Sequence, residues 1–408
     1  MICRSCKSSK LNLIVDLGFA PPSNAFLKEE NLEKNEMYFP LKVYVCSRCW
    51  LVQTQDVVDH KLLFNRNYPY FSSYSKTFLN HCKTYCTMII KRFNINKSSN
   101  LLEIASNDGY LQDQFSLNGL NLTGIEPTNS AANIAISKGH KVIKQFFGTK
   151  LANNLKSKSR LFDLIVANNV FAHVPDINDF MKGIKICLSP SGVATIENPS
   201  VINLINKNQY DTIYHEHFSY LSLTSVEFIA NQNQMEVFDV EKIPVHGGSI
   251  RFFLKHKKSR ENNRTKKLQN FKSNEMVNGV KNIYMYRKFG IKCIKNKNKF
   301  MKFLYNSVST GKKIAAYGAA AKGNTFLNYC GVSSDLIEFI VDKNPKKVGM
   351  YAPGSHIPIM EEKNLKKVKP HFIIILPWNL KNEIASQLSY AREWGVKFVV
   401  GIPKLKIF

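Results

Sequence analysis

The sequence predicts an α/β protein in three parts, a small N-terminal metal-binding domain followed by two doubly wound sheets. Three observations carry this reading. Cys3, Cys6, Cys46 and Cys49 form two C-x-x-C pairs near the start, residues 100–168 alternate short apolar strands with helical stretches, and residues 312–342 repeat that alternation around a Gly-rich turn. At 408 residues, 44% of them hydrophobic and 12% aromatic, the chain exceeds one ordinary core and can bury several. The expected domains are 1–74, 75–256 and 257–408.

The first element is the cysteine quartet. Thiolates two residues apart on a tight turn take two corners of a tetrahedron, and two such turns make a closed site with no open position, which is the pattern of structural Zn²⁺. A redox dithiol is the alternative for either pair alone, but no strand–helix pattern of the thioredoxin type surrounds them. Cys82, Cys86, Cys187, Cys293 and Cys330 lie in apolar or helical settings and are expected to be packing residues.

The second part opens with a helical stretch from about Ser75 to Asn94. The run from Asn100 to Gly109 then reads as a buried strand ending in a turn, with Tyr110 to Leu117 opening a helix, so Gly109 lies where backbone approaches a ligand closely. Leu122 to Ile125 is a second strand ending in Glu126-Pro127, and Phe162 to Ala167 a third ending in Asn168. An acid at the end of the second strand is where doubly wound folds hold a ribose diol. Glu103, Ser106, Asn107, Gly109, Glu126 and Asn168 are thereby expected around one crevice. A generic dinucleotide site stays open as a reading, although the chain has no G-x-G-x-x-G.

Residues 214–220, Tyr-His-Glu-His-Phe-Ser-Tyr, crowd two imidazoles, a carboxylate and two phenols into seven positions. Such groups move protons, and each must be hydrogen-bonded or hydrated at a cost of about 1 to 3 kcal/mol if left unpaired. A second metal at His215, Glu216 and His217 is the competing reading, weakened by the absence of the i, i+4 spacing of helical zinc ligands. His173, in Ala-His-Val-Pro-Asp, either joins this chemistry or closes a strand end. His246 before Gly247-Gly248 either contacts substrate or ends a strand.

In the third part, Lys312 to Tyr317 predicts a strand, Gly318 to Gly323 a turn, Asn324 to Cys330 a helix, and Leu336 to Val341 a strand ending in Asp342. Asp342 on the ribose of a nicotinamide cofactor is a competing reading, but the full glycine fingerprint is missing. Lys322 at the helix start either meets a phosphate or is an exposed lysine.

The turn Ala105-Ser-Asn-Asp-Gly109 resembles the first motif of class I S-adenosylmethionine-dependent methyltransferases, with Ser106 to Gly109 in place of the usual Gly-x-Gly. Eight segments extend the likeness, in order: 21–26, 70–74, 103–109, Ala172-His-Val-Pro-Asp176, 214–220, His246-Gly-Gly-Ser-Ile-Arg251, Tyr317-Gly-Ala-Ala-Ala-Lys-Gly323 and Pro353-Gly-Ser-His-Ile-Pro358. Together they resemble the nucleotide-sugar C-methyltransferases, which add a methyl group at C3 of a thymidine-diphosphate-linked 4-keto deoxyhexose. The resemblance implies an N-terminal zinc domain, a central class I methyltransferase Rossmann-like domain and a second Rossmann-like domain, with substrate between the last two. It implies S-adenosylmethionine on the 105–109 turn with its ribose on Glu126, and a nucleotide-linked 4-keto-deoxysugar as partner. His217 is implied as the base, Tyr214 as a hydrogen-bonding partner of the sugar oxygens, Glu216 as the group that orients the base, and His173 as a further imidazole. Tyr68, Tyr70 and Tyr74 are implied as candidates for a lid, with His246 and Lys322 as substrate contacts. The chemistry fits the residue types: carbon methylation needs an enolate, hence a base of near-neutral pKa and a donor to the oxyanion.

The formal charge of +27 raises nucleic acid as a partner. Much of the excess lies in Lys- and Asn-rich stretches such as 255–270 and 292–302, without the aromatic interleaving of an RNA platform, so it is read as solvated surface and no nucleic acid is expected. No run of 18 apolar residues and no signal-peptide layout is present, giving the expectation of a cytoplasmic protein without membrane contact. A chain that supplies both halves of its own cleft can work as a monomer, and the sequence leaves the oligomeric state open. The competing functions are an O- or N-methyltransferase on an activated sugar, a zinc-containing RNA-binding protein or RNA methyltransferase, and a sugar-nucleotide binding protein without catalysis.

Overall fold

The protein was examined as a computed structural model, which describes residues 1–59, 63, 73, 76–158, 161–245 and 247–408. Strands β1 (Leu11–Ala20), β2 (Phe39–Cys46) and β3 (Val52–Thr54) form an antiparallel meander. After the helix Lys76–Arg92 come β4 (Leu101–Ile104), β5 (Leu122–Ile125), β6 (Val142–Ile143), β7 (Phe162–Asn168) and β8 (Leu188–Pro199), with helices between successive strands. The segment after β8 carries the two-residue strand β9 (Ser219–Tyr220), followed by the hairpin β10 (Met235–Ile243) and β11 (Ser249–His256).

These strands sort into two sheets. The seven-stranded sheet runs β10-β11-β8-β7-β4-β5-β6, with β4 to β8 parallel and β11 antiparallel to β8. Its order reverses between β4 and β7, so the crevice at their carboxyl ends is the topological switch point where such folds take ligands. Strand β9 pairs instead with β3, matching Val52 with Tyr220 and Gln53 with Ser219, and completes the N-terminal four-stranded sheet.

The strands expected within 100–109, over 122–125 and over 162–167 form as 101–104, 122–125 and 162–168, each a short apolar run of the kind a sheet covered on both faces demands. Alternation along β4 sends Leu102 and Ile104 into one apolar layer and Leu101 into another beneath the helix Lys76–Arg92.

Two long basic segments become helices, Lys266–Val277 and Ile283–Ser309; the latter lays Tyr286, Phe289, Cys293, Phe300 and Leu304 against the core. A third sheet follows: β12 (Ile314–Tyr317), β13 (Ile340–Val341), β14 (Ile359–Met360), β15 (Phe372–Ile375), β16 (Lys397–Val400) and β17 (Lys406–Ile407). Their spatial order is β14-β13-β12-β15-β16-β17, parallel except for β17, and it too reverses at its first strand. The strand expected over 336–341 is confined to its last two residues, because Leu336 and Ile337 still bond back to Ser333 in a turn. The five cysteines outside the quartet are all buried. No helix among the described residues is long and apolar enough to cross a membrane.

Candidate active site

The four N-terminal cysteines converge as the spacing predicts. Their sulfurs lie within 4.8 Å of one another and all four residues are buried, with Cys3–Cys49 and Cys6–Cys46 sulfur separations of 3.5 Å. Tetrahedral Zn–S bonds of about 2.3 Å place ligand sulfurs roughly 3.8 Å apart, so the quartet fits the ion. The crowding asks for one: the hydrogen bond from Cys49 pulls the Cys3 thiol down to about 4, while burial pushes Cys6 up to about 11. Four thiolates coexist there only if a cation compensates them. It is the only such cluster of metal-ligating groups among the described residues.

The cofactor turn sits at the β4/β7 switch point. Ala105, Asn107 and Gly109 have φ of 62°, 49° and 81°, three left-handed residues in five, which bend the chain sharply off β4. Only glycine suits the last of these: a Cβ on Gly109 would lie 2.8 Å from His140 Cδ2 and 3.1 Å from Ala135 Cβ. Glu126, buried at the end of β5, locks the turn by accepting from the Asn107 amide at 3.0 Å and the Thr128 amide at 2.8 Å. Burial raises its pKa against those donors. Glu103 is fully buried, and burial lifts its pKa well above the usual range with the Tyr110 hydroxyl pulling it back.

The Ser106 hydroxyl occupies the space that a Cβ on Gly124 would need, beside the Gln112 side-chain amide, so it packs toward β5. Four oxygens in this region, Ser106 Oγ, Asp108 Oδ1, Asn168 Oδ1 and Asn169 Oδ1, are buried without a hydrogen bond, while the other Asp108 oxygen accepts from Ser73. An acceptor-rich cradle on a left-handed turn, with a carboxylate at the next strand end, suits the ammonium and ribose hydroxyls of S-adenosylmethionine.

Residues 214–217 form a tight turn closed by the His217 amide on the Tyr214 carbonyl at 2.9 Å. That geometry stacks the first and fourth side chains, with ring centroids 4.0 Å apart and the Tyr214 hydroxyl 2.8 Å from His217 Nε2. His217 Nδ1 lies 2.8 Å from the Thr212 carbonyl, which fixes the tautomer: Nδ1 carries the proton and Nε2 the lone pair. His173 donates from Nδ1 to the Glu216 carbonyl at 2.9 Å, its ring 4.6 Å from that of His217, and burial lowers its pKa to about 4. Two imidazoles and a phenol therefore share one small volume.

Glu216 meets a residue of the N-terminal domain. Its carboxylate accepts from Asn24 Nδ2 at 2.6 Å, and Thr212 supplies the hydrogen bond that orients His217. The turn explains this, since adjacent side chains on it diverge. His215 is buried, reaching the Phe39 carbonyl at 3.3 Å, with its pKa lowered by burial. The three residues of the competing metal reading thus point to three different partners.

At the start of the helix Ala321–Cys330, the Lys322 ammonium lies 5.9 Å over the Trp378 ring and is drawn to Asp211, and burial lowers its pKa, so it is not an ordinary surface lysine. Trp378 Nε1 donates to Asp211 at 2.6 Å, and burial pushes Asp211 up to about 6. Asp342 accepts from the Ala319 and Asn344 amides at 2.7 and 2.8 Å. Tyr68, Tyr70, Tyr74 and His246 lie outside the described residues. Sequence reasoning missed Asn24, Thr212, Asp211 and Trp378; only Asn24 had a signal, its place in the 21–26 segment.

Three family profiles match successive stretches: a zinc binding domain over residues 3–64, a methyltransferase domain over 78–240 and a C-methyltransferase C-terminal domain over 244–403. The chain is similar to C-methyltransferase NovU of Streptomyces niveus, 30% identical over 405 residues, covering 99% of this chain and 96% of that protein. Among solved structures it is similar to an S-adenosylmethionine-dependent methyltransferase of Clostridium acetobutylicum (14% identity, 44% of this chain and 92% of that one, TM-score 0.36). It is also similar to the PH0226 protein of Pyrococcus horikoshii (14% identity, 47% and 97%, TM-score 0.37). Sequence identity along essentially the whole chain, the three consecutive domain matches, the cysteine quartet and the acceptor-lined turn agree: the chain belongs to the C-methyltransferase family, as an S-adenosylmethionine-dependent enzyme with an N-terminal zinc site.

Proposed function

We propose that this enzyme methylates C3 of a nucleotide-linked 4-keto-deoxysugar through an enolate, in the making of a branched sugar. The Tyr214–His217 pair carries the reading. A ketone at C4 acidifies the C3 proton, and His217 Nε2, held with its lone pair outward by Thr212, is the base that takes it. Tyr214 Oη, 2.8 Å from that nitrogen, moves its hydrogen bond to the C4 oxygen as negative charge builds there. Neutral His173 beside them packs against the base without placing a second positive charge in the pocket. The donor bound on the 105–109 turn supplies an already activated methyl group, so the protein's remaining task is to hold the enolate carbon in line with it.

Lys322, at the helix start on the second switch point, stands as the candidate contact for the nucleotide's phosphates, with Tyr68, Tyr70 and His246 as candidate sugar contacts. The domains proposed are those expected from sequence, 1–74, 75–256 and 257–408, and the protein is proposed to act in the cytoplasm as a monomer. Incubation with labelled methyl donor and a panel of 4-keto sugar nucleotides, with products read by mass and carbon NMR, tests the reading. It expects a new C-methyl carbon and, without donor, solvent deuterium entering at C3. Methylation on oxygen or nitrogen, without such exchange, would overturn it.

A further inference from the structure

The zinc site and the imidazoles are joined by one side chain. Arg4 lies between Cys3 and Cys6, and its guanidinium is almost wholly buried, with 5% of the side chain exposed. Nη1 donates to the Pro175 carbonyl at 2.9 Å, two residues beyond His173. Nη2 donates to the Thr54 carbonyl at 2.9 Å and to Asp56 at 2.8 Å. The guanidinium also stands 5.3 Å over the ring of Phe218, the residue after His217. Thr54 passes the contact on: its hydroxyl donates to the His217 carbonyl at 3.1 Å, and its amide to the Phe218 carbonyl at 3.1 Å. Phe218 in turn donates from its amide to the Ala172 carbonyl at 2.8 Å. Asn178 closes the circuit, with Nδ2 on the Ser5 carbonyl at 2.9 Å.

We infer that Arg4 is a positioning residue for proton transfer, fixing the segments of His173 and His217 relative to each other from the zinc knuckle. The inference rests on the proposed role of those two imidazoles. Its physical basis is the shape of the group. A planar fork with fixed donor directions reaches two carbonyls on different segments while its face covers an aromatic ring, and a lysine ammonium reproduces one of those contacts at a time. Each segment is short, His173 lying in a single helical turn and His217 ending a tight turn, so contacts from outside them contribute to their placement. Reacting groups displaced by a fraction of an ångström lose rate far more than affinity.

The test compares the zinc-loaded full chain with Arg4→Lys and Thr54→Val, the second removing only the hydroxyl bond to the His217 carbonyl. Turnover, deuterium exchange at C3, KM for donor and zinc content are read, together with the imidazole NMR signals of His173 and His217 in protein without substrate. We expect Arg4→Lys to lower kcat about 10- to 100-fold with KM for donor and zinc content unchanged, and to move both imidazole signals. Thr54→Val is expected to lower kcat about 3- to 10-fold and to move the His217 signal alone. Wild-type kcat with unmoved signals in both variants overturns the inference, as does a loss restored in full by added zinc. If Arg4→Lys does not fold, Thr54→Val decides. Should the wild-type enzyme act on no 4-keto sugar nucleotide, the proposed substrate fails, and the imidazole signals alone still uphold or overturn the role of Arg4.

Discussion

Asp342 does in the third sheet what Glu126 does in the second. Each ends the strand beside the first strand of its sheet, and each accepts from an amide in the turn after that first strand and from the amide two residues beyond itself: Asn107 and Thr128 for Glu126, Ala319 and Asn344 for Asp342. The two turns are thus built on one plan. Glu126→Gln, which sets an amide NH₂ against donors, is expected to weaken binding of S-adenosylhomocysteine about 10- to 100-fold and to leave the KM for the sugar nucleotide near its wild-type value. Asp342→Asn is expected to do the reverse. Calorimetric titration and initial rates read the two effects, and equal losses of both ligands in either variant would refute the division.

His217→Gln keeps a polar side chain but no base. Turnover is expected to fall about 10² to 10⁴-fold and deuterium exchange at C3 to vanish, with donor binding intact. Tyr214→Phe, losing only the hydroxyl 2.8 Å from His217 Nε2, is expected to slow both processes by a smaller factor of about 10 to 100. Exchange that survives in His217→Gln would assign the base elsewhere.

The His173 environment predicts a pH dependence of stability. Burial lowers its pKa from 6.5 to about 4, so the folded state resists a proton that the unfolded chain takes up readily. The contribution of its neutral form is complete above pH 6.5 and drains away as the pH falls toward 4. Since the residue is only partly enclosed, the loss amounts to about 2 kcal/mol. Urea denaturation at pH 7, 5.5 and 4 is expected to show wild type losing that much more than His173→Gln over the range. Parallel profiles would show that the imidazole is not held neutral.

Gly109→Ala puts a methyl group where His140 and Ala135 stand and forces a left-handed φ on alanine. The expected cost is about 1 to 3 kcal/mol in stability, with donor affinity lowered at least about 10-fold, read by thermal melting and titration. A variant that binds donor normally would show that the turn tolerates reshaping.

Cys49→Ser is expected to abolish the zinc, measured as about one ion per chain in the wild type, and to lower the melting temperature. Elemental analysis and thiol titration check both. Full zinc occupancy in this variant would mean that the quartet is not the site.

The fold was legible where the sequence repeats a simple physical pattern. Apolar runs of four to seven residues ending in polar groups gave β4, β5, β7 and β12 closely, because a strand covered on both faces has little compositional freedom. The cysteines declared their site by spacing alone. The side-chain directions were not legible. Whether Glu216 faces His217 or Asn24 depends on a turn closed at Tyr214, and whether Ser106 faces the crevice or β5 depends on a glycine 18 positions later in another strand. Trp378 and Asp211, from separate sheets' loops, meet through tertiary packing that no local pattern encodes.

Strand β9 has a consequence for how the protein is made. The edge of the zinc sheet is closed by residues that leave the ribosome long after it: 163 positions separate Thr54 from the His217 carbonyl it holds. Until they arrive, the β3 edge stands open with unpaired amides and carbonyls, the kind of edge that recruits stray strands or chaperones. Synthesis that stalls before residue 220 therefore yields a cysteine-bearing fragment with an unsealed flank, and the arrival of the 214–220 segment is the event that closes it.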